Sequence, residues 1–311
     1  MKTSFTLGAY VLGLAVVFGG AFGVGGAIGA TGPAPAKTGH AGHAKAVVKE
    51  TEHVPGGLQV SQSGYTLTPQ TTTIAPGTET EFRFTVNGPD GRRVTAYETR
   101  HDKKLHLIVV SRDATVFRHL HPELAGDGVW SVPLTLPDAG AYRIFADFAP
   151  QGGEGLTLGA DLYAAGDYAP RPLPAPSRTV TVDGYTVRLD GTLTPGAASR
   201  LTAEISRDGK PVTDLQPYLG AYGHLVALRV GDLAYLHVHP DGAPDDGVTP
   251  AGPGITFYAE VPSRGDYRLF LDFQHDGTVR TAAFTVRAEH PSGAAPSATA
   301  DHGSEHSHSG H

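Results

Sequence analysis

Leu136-Pro137-Asp138-Ala139-Gly140-Ala141-Tyr142-Arg143-Ile144-Phe145-Ala146-Asp147-Phe148 returns 125 positions later as Val261-Pro262-Ser263-Arg264-Gly265-Asp266-Tyr267-Arg268-Leu269-Phe270-Leu271-Asp272-Phe273. Each copy is a turn running into an extended segment. Along a strand residues two apart share a face, so Arg143 and Asp147 share one, as do Arg268 and Asp272. Asp138-Ala139-Gly140-Ala141-Tyr142 has the pattern of a tyrosine corner, where the phenol bonds back to the preceding turn, and Ser263-Arg264-Gly265-Asp266-Tyr267 repeats it less fully. Where a half-cystine would stand two residues after the tyrosine, the chain has Ile144 and Leu269.

Working outward, the rest of the chain duplicates too. Gly64-Tyr65-Thr66-Leu67 answers Gly184-Tyr185-Thr186-Val187, and Ala75-Pro76-Gly77 answers Thr194-Pro195-Gly196. Each copy carries about seven short strand patterns separated by turn residues, which predicts an all-β chain of two tandem immunoglobulin-like or cupredoxin-like sandwiches. The expected order is an N-terminal hydrophobic helix (1–30), a flexible tether (31–57), the first repeat (58–168), a Pro-rich linker (169–176), the second repeat (177–288) and a His-rich disordered tail (289–311).

The chemistry sits in a second duplicated pattern. Phe117-Arg118-His119-Leu120-His121-Pro122 is echoed by Tyr235-Leu236-His237-Val238-His239-Pro240, and one more histidine, His106 or His224, stands thirteen residues before each pair's first member. All three histidines keep a shift of 118, so the pattern survived duplication without a gap. Strand periodicity sends His119 and His121 to one face. A hairpin with an Asp113-Ala114 loop sets His106 opposite His121 and a four-residue loop sets it opposite His119; a Gly231-Asp232 loop sets His224 opposite His239. Two neighbours and one cross-strand partner offer three imidazoles to one ion. The candidate ligands are His106, His119 and His121 in one repeat and His224, His237 and His239 in the other. Asp147 and Asp272 are the candidate fourth ligands or acceptors that fix a tautomer, against a bland reading as solvent-facing partners of Arg143 and Arg268. His275, Glu98 and His101 have no counterpart in the other copy and read as surface residues. Ile108, Val110, Phe117, Val226, Leu228 and Tyr235 share the histidine face, so the two copies are expected to pack through their hairpins.

Composition narrows the chemistry. The chain has 311 residues, no cysteine and 16 histidines; its only methionine is Met1, which removes disulfides, thiolate zinc sites and thioether copper sites. Three imidazoles with an oxygen suit Cu(II) or Zn(II). A net charge of −7 without a basic run argues against nucleic acid. No serine-nucleophile elbow, zincin motif or phosphate loop is present, so nothing demands catalysis. Phe5 to Ala30 is uncharged and long enough to span a bilayer, with a cleaved signal as the competing reading, and either exports the rest of the chain. The implied location is extracytoplasmic, secreted or held to the cytoplasmic membrane by that helix.

Lys104-Leu105-His106-Leu107-Ile108-Val109, His119-Leu120-His121-Pro122, Leu158-Gly159-Ala160-Asp161-Leu162 and Tyr218-Leu219-Gly220-Ala221-Tyr222-Gly223-His224 carry a resemblance. The chain resembles exported proteins of actinobacterial type with tandem immunoglobulin-like or cupredoxin-like domains, related to domains that handle heavy metals. The resemblance implies export and fold. Two functions follow as expectations: extracytoplasmic binding or delivery of Cu(II) or Zn(II), or a cell-surface interaction module whose histidines form a structural hydrogen-bond network.

Overall fold

A computed structural model describes residues 54–236 and 238–289; the expected N-terminal helix, most of the tether, His237 and the His-rich tail lie outside these. The described residues contain strands and no helix, and so no helix long and apolar enough to cross a membrane.

The first repeat runs β1 (Ser61–Gln62), β2 (Tyr65–Pro69), β3 (Thr73–Ile74), β4 (Thr80–Asn87), β5 (Leu105–Ser111), β6 (Phe117–Leu120), β7 (Glu123–Leu124), β8 (Val129–Leu134), β9 (Gly140–Phe148) and β10 (Leu156–Ala164). One sheet has the order β1-β2-β4-β8-β7 and the other β3-β10-β9-β5-β6. Read as immunoglobulin strands, β2-β4-β8-β7 are ABED with β1 added at the edge beside A, and β3-β10-β9-β5-β6 are A′GFCC′, with β3 parallel to β10 and every other ladder antiparallel. That order settles the choice left open by the sequence in favour of the immunoglobulin-like arrangement.

The second repeat runs β11 (Thr179–Val182), β12 (Tyr185–Asp190), β13 (Ala198–Arg207), β14 (Lys210–Pro211), β15 (Gly223–Arg229), β16 (Tyr235–Leu236), β17 (Val238–Pro240), β18 (Gly254–Glu260), β19 (Gly265–His275) and β20 (Thr278–Ala288). Its sheets, β11-β12-β13-β18-β17 and β16-β15-β19-β20, repeat the plan without the parallel strand. Both tyrosine corners form: Tyr142 donates to Asp138 O and Tyr267 to Ser263 O, each at 2.8 Å. Ile144 and Leu269, fully buried, pack where a disulfide would cross.

Each sandwich has its own core, and a third apolar cluster joins them, with Ile108, Val110, Phe117 and Phe145 from one repeat against Val226, Leu228 and Phe270 from the other. The hairpins therefore pack on each other, as their apolar faces require. Phe117 stacks on Phe270 at 4.2 Å between ring centroids, and the symmetry-related pair Phe145 and Tyr235 meets at 5.5 Å. Each ring pair joins hairpin to sheet strand with the repeats exchanged, so the interface is self-complementary, as between two identical subunits.

The two-fold is broken by residues the sequence assigns to a flexible tether. Tyr235 N donates to Gly56 O at 2.9 Å, and Arg143 grips Gly57 O through Nε and a terminal nitrogen at 2.9 and 2.7 Å. Gly57 has φ +73°, and a Cβ there would lie 2.3 Å from Phe145 Cδ1. Only glycine passes so close. Residues 54–57 are thus a docked strap, because the backbone groups lying against the second repeat's hairpin need partners.

Candidate functional site

The first hairpin has the expected register. Leu107 pairs with Leu120 and Val110 with Phe117, which centres the turn on Asp113-Ala114 and sets His106 level with His121. In the second hairpin Ala227 pairs with Leu236 and Leu228 with Tyr235, again as expected. There the ladder stops, because β17 crosses to the other sheet and pairs His239 with Tyr258. His239 therefore does not stand opposite His224. The unpaired edge of β18 supplies hydrogen-bond partners that the end of β15 does not.

His106, His119 and His121 converge, each offering one nitrogen within 4.8 Å of the others. Their ring centroids lie 5.2 Å (His106–His119), 5.2 Å (His106–His121) and 4.8 Å (His119–His121) apart. What fixes the rings comes from outside the trio. His106 Nε2 donates to Arg100 O at 3.2 Å, and His119 Nδ1 donates to Asp272 Oδ2 of the second repeat at 2.8 Å. A neutral imidazole carries one N–H. Both N–H groups are thereby spent, yet His106 Nδ1 and His119 Nε2 face each other at 3.0 Å. With both rings neutral, two lone pairs meet at hydrogen-bond distance. His121 Nε2 is a third buried nitrogen, with no hydrogen-bond partner among the described residues.

Protonating His106 or His121 is a poor remedy. Burial pushes the His106 imidazole down to about 3, with the neighbouring His119 adding to the effect. Burial, then His119, brings His121 down to about 4.

The aspartates are not solvent-facing partners of the arginines, which corrects that reading. Arg143 pairs with Asp161, and Arg268 donates to Ala114 O and Thr285 Oγ1. Asp272 is 3% exposed, stands opposite His224 in the ladder and receives Thr281 Oγ1 on its other oxygen. Asp147 stands opposite His106 and receives Thr157 Oγ1 at 3.2 Å. Burial raises Asp147 to about 6. Asp272 serves a histidine of the other repeat, since the interface brings its strand against the first hairpin.

His224 donates from Nε2 to Tyr218 O at 2.7 Å, the counterpart of His106 to Arg100 O, and burial pushes it down to about 4. Both carbonyls belong to matching two-residue turns, with positive φ at His101 (49°) and Asp102 (60°), and at Leu219 (53°) and Gly220 (72°). The sequence signal for these turns was present in Tyr218-Leu219-Gly220-Ala221, though only Gly220 marks it. His101 is exposed, as the surface reading expects, though its ring stands 6.2 Å from His106 and 5.4 Å from His224. His275 corrects the surface reading, being 8% exposed and held between Tyr185 OH at 2.7 Å and Asp214 Oδ1 at 3.0 Å. It is a satisfied structural histidine.

Among solved structures, the Escherichia coli adhesin FdeC is 14% identical with a TM-score of 0.24, over 73% of this chain and 65% of that one. The Yersinia pseudotuberculosis adhesin InvE is 15% identical with a TM-score of 0.24, over 73% and 60%. A putative membrane-anchored protein from Corynebacterium diphtheriae is 9% identical with a TM-score of 0.23, over 73% and 57%. The chain thus spans less than two thirds of each of these structures. No curated protein matches it. A family model does match, twice, at residues 59–163 and 180–290, and on that evidence the chain belongs to DUF8832, described as a domain of unknown function.

Proposed function

We propose that this is an exported protein whose two immunoglobulin-like domains enclose a Cu(II) or Zn(II) site made by His106, His119 and His121. The observation that carries the reading is the tautomer arithmetic: Arg100 O and Asp272 take the two N–H groups and turn the lone pairs of His106 and His119 toward each other at 3.0 Å. A cation between them removes the repulsion. Nitrogens about 2.0–2.1 Å from one ion are about 3.3 Å apart in a tetrahedron and about 2.9 Å apart in a square plane, which brackets the observed separation. Asp272 acts as the outer carboxylate that orients a ligating imidazole. Export is supported by the uncharged run from Phe5 to Ala30.

A second reading is a cell-surface interaction module in which the histidines are structural. The immunoglobulin-like fold and the completed outer bonds of His106 and His119 favour it. Copper titration of the full chain, followed by electron paramagnetic resonance, separates the two. The His-rich tail contributes equally to wild type and variants. Removing His106 and His121 together should abolish one equivalent of histidine-coordinated copper. Unchanged binding would leave the structural reading.

A further inference from the structure

Both repeats line a cleft of about 550 Å³, the size of a small-molecule pocket, with Val54 and Gly56 of the strap on one side. Much of its wall is apolar: Phe148, Leu156, Leu225 and Leu236 are each less than a tenth exposed. Arg100, Lys103 and Lys104 also line it, all exposed, and none has an ion pair or a side-chain hydrogen bond among the described residues. The Arg100 guanidinium is seated over a glycine, since a Cβ on Gly155 would lie 2.5 Å from its Nη1. Tyr235, half-buried on the wall, has a hydroxyl without a hydrogen bond among the described residues.

The second copy supplies a control. Its matching turn closes in the same way, Tyr218 N donating to Ala221 O at 2.8 Å as Arg100 N does to Lys103 O at 2.8 Å. Yet it carries Tyr218, Ala221 and Tyr222 where the first repeat has Arg100, Lys103 and Lys104. The turn does not need the cations. Phe117 likewise occupies the position of Tyr235 in the first hairpin, so the hairpin does not need the hydroxyl. In a chain of net charge −7, three cations here face two carboxyl groups, the exposed Glu260 and Asp147, which receives Thr157 Oγ1.

We infer that this cleft binds a small organic carboxylate with an apolar body. The Arg100 fork suits the paired oxygens of a carboxylate, and the two lysines add charge beside it. The Tyr235 hydroxyl is a neutral donor, and the apolar wall covers the hydrocarbon. An uncharged ligand would leave the cations unused, and an inorganic anion would leave the apolar wall uncovered. The site does not depend on the histidine trio holding a metal.

The test is calorimetry on the metal-free full chain, where no ion can hold the ligand. The probes are phenylbutyrate and its uncharged amide, phenylbutyramide, which share one apolar body. The carboxylate should bind about 10–100-fold more tightly than the amide, as a charge-assisted hydrogen bond gives. Arg100→Gln, Lys103→Gln and Lys104→Gln together should bring the two probes level. These side chains are exposed, and His106 bonds to the Arg100 backbone, so the variant keeps the contacts of the fold. Removing three exposed cations that do not line the cleft, with Arg188→Gln, Arg200→Gln and Lys210→Gln, should leave the preference intact. Equal affinity for the two probes in the wild type overturns the site. So does a preference that survives the first triple variant, or one lost equally in the second.

Discussion

His119 of the first repeat and Asp272 of the second form a buried hydrogen bond, Nδ1 to Oδ2 at 2.8 Å, with side chains only 7% and 4% exposed. The pair is at once a domain contact and the support of the candidate site. An acceptor from another domain fixes the imidazole tautomer only while the domains are docked.

Asp272→Asn removes the charge and leaves an amide that can present either O or N to His119. Metal affinity should fall about 10–100-fold, the usual cost of losing an outer carboxylate. Stability should fall by about 1–3 kcal/mol, for a buried bond left imperfect. Competition with a chromophoric chelator and urea unfolding of the metal-free chain measure the two separately. Unchanged affinity in a folded variant would remove Asp272 from the site.

Phe270→Ala deletes a ring that is 1% exposed, stacked on Phe117 and lying 5.1 Å beneath the Arg268 guanidinium. A loss of about 3–5 kcal/mol is expected for a large core aromatic. Because the ring belongs to the joint between repeats, small-angle scattering should also show a larger radius of gyration. A compact variant with full stability would mean the joint is held elsewhere.

The metal-free chain should lose stability as pH falls from about 6.5 toward 4. His106, His121 and His224 are depressed to about 3, 4 and 4, so the unfolded state takes up protons that the folded state refuses. Asp147, raised to about 6, opposes this, binding a proton in the folded state that the unfolded state has lost. Three groups against one give a net uptake of two protons on unfolding near pH 5, a slope of at most about 2–3 kcal/mol per pH unit. Urea midpoints across this range measure it. A flat profile would mean the imidazoles are solvated.

Tyr142→Phe and Tyr267→Phe each remove one corner hydrogen bond of 2.8 Å. Each should cost about 0.5–1.5 kcal/mol, with the carbonyl of Asp138 or Ser263 regaining water. Similar losses in thermal unfolding would support the equivalence of the two corners.

Much of this was written locally. Alternation, turn residues and the Asp138-Ala139-Gly140-Ala141-Tyr142 pattern determine strands, corners and duplication, because they depend on neighbours two to five residues away. The hairpin register that brings His106 to His121 is equally local, set by loop length. The apolar face of Ile108, Val110 and Phe117 even announces that something must cover it. What sequence could not supply was anything decided by the packing of one repeat on the other. The Asp272 bond to His119, the approach of His101 to His224 and the docking of Gly56 and Gly57 span long stretches of chain. The departure of His239 to the opposite sheet likewise turns on which edge offers free backbone partners. Hydrogen bonds and desolvation are short-ranged in space but blind to sequence separation, so these contacts exist only once the two sandwiches are assembled.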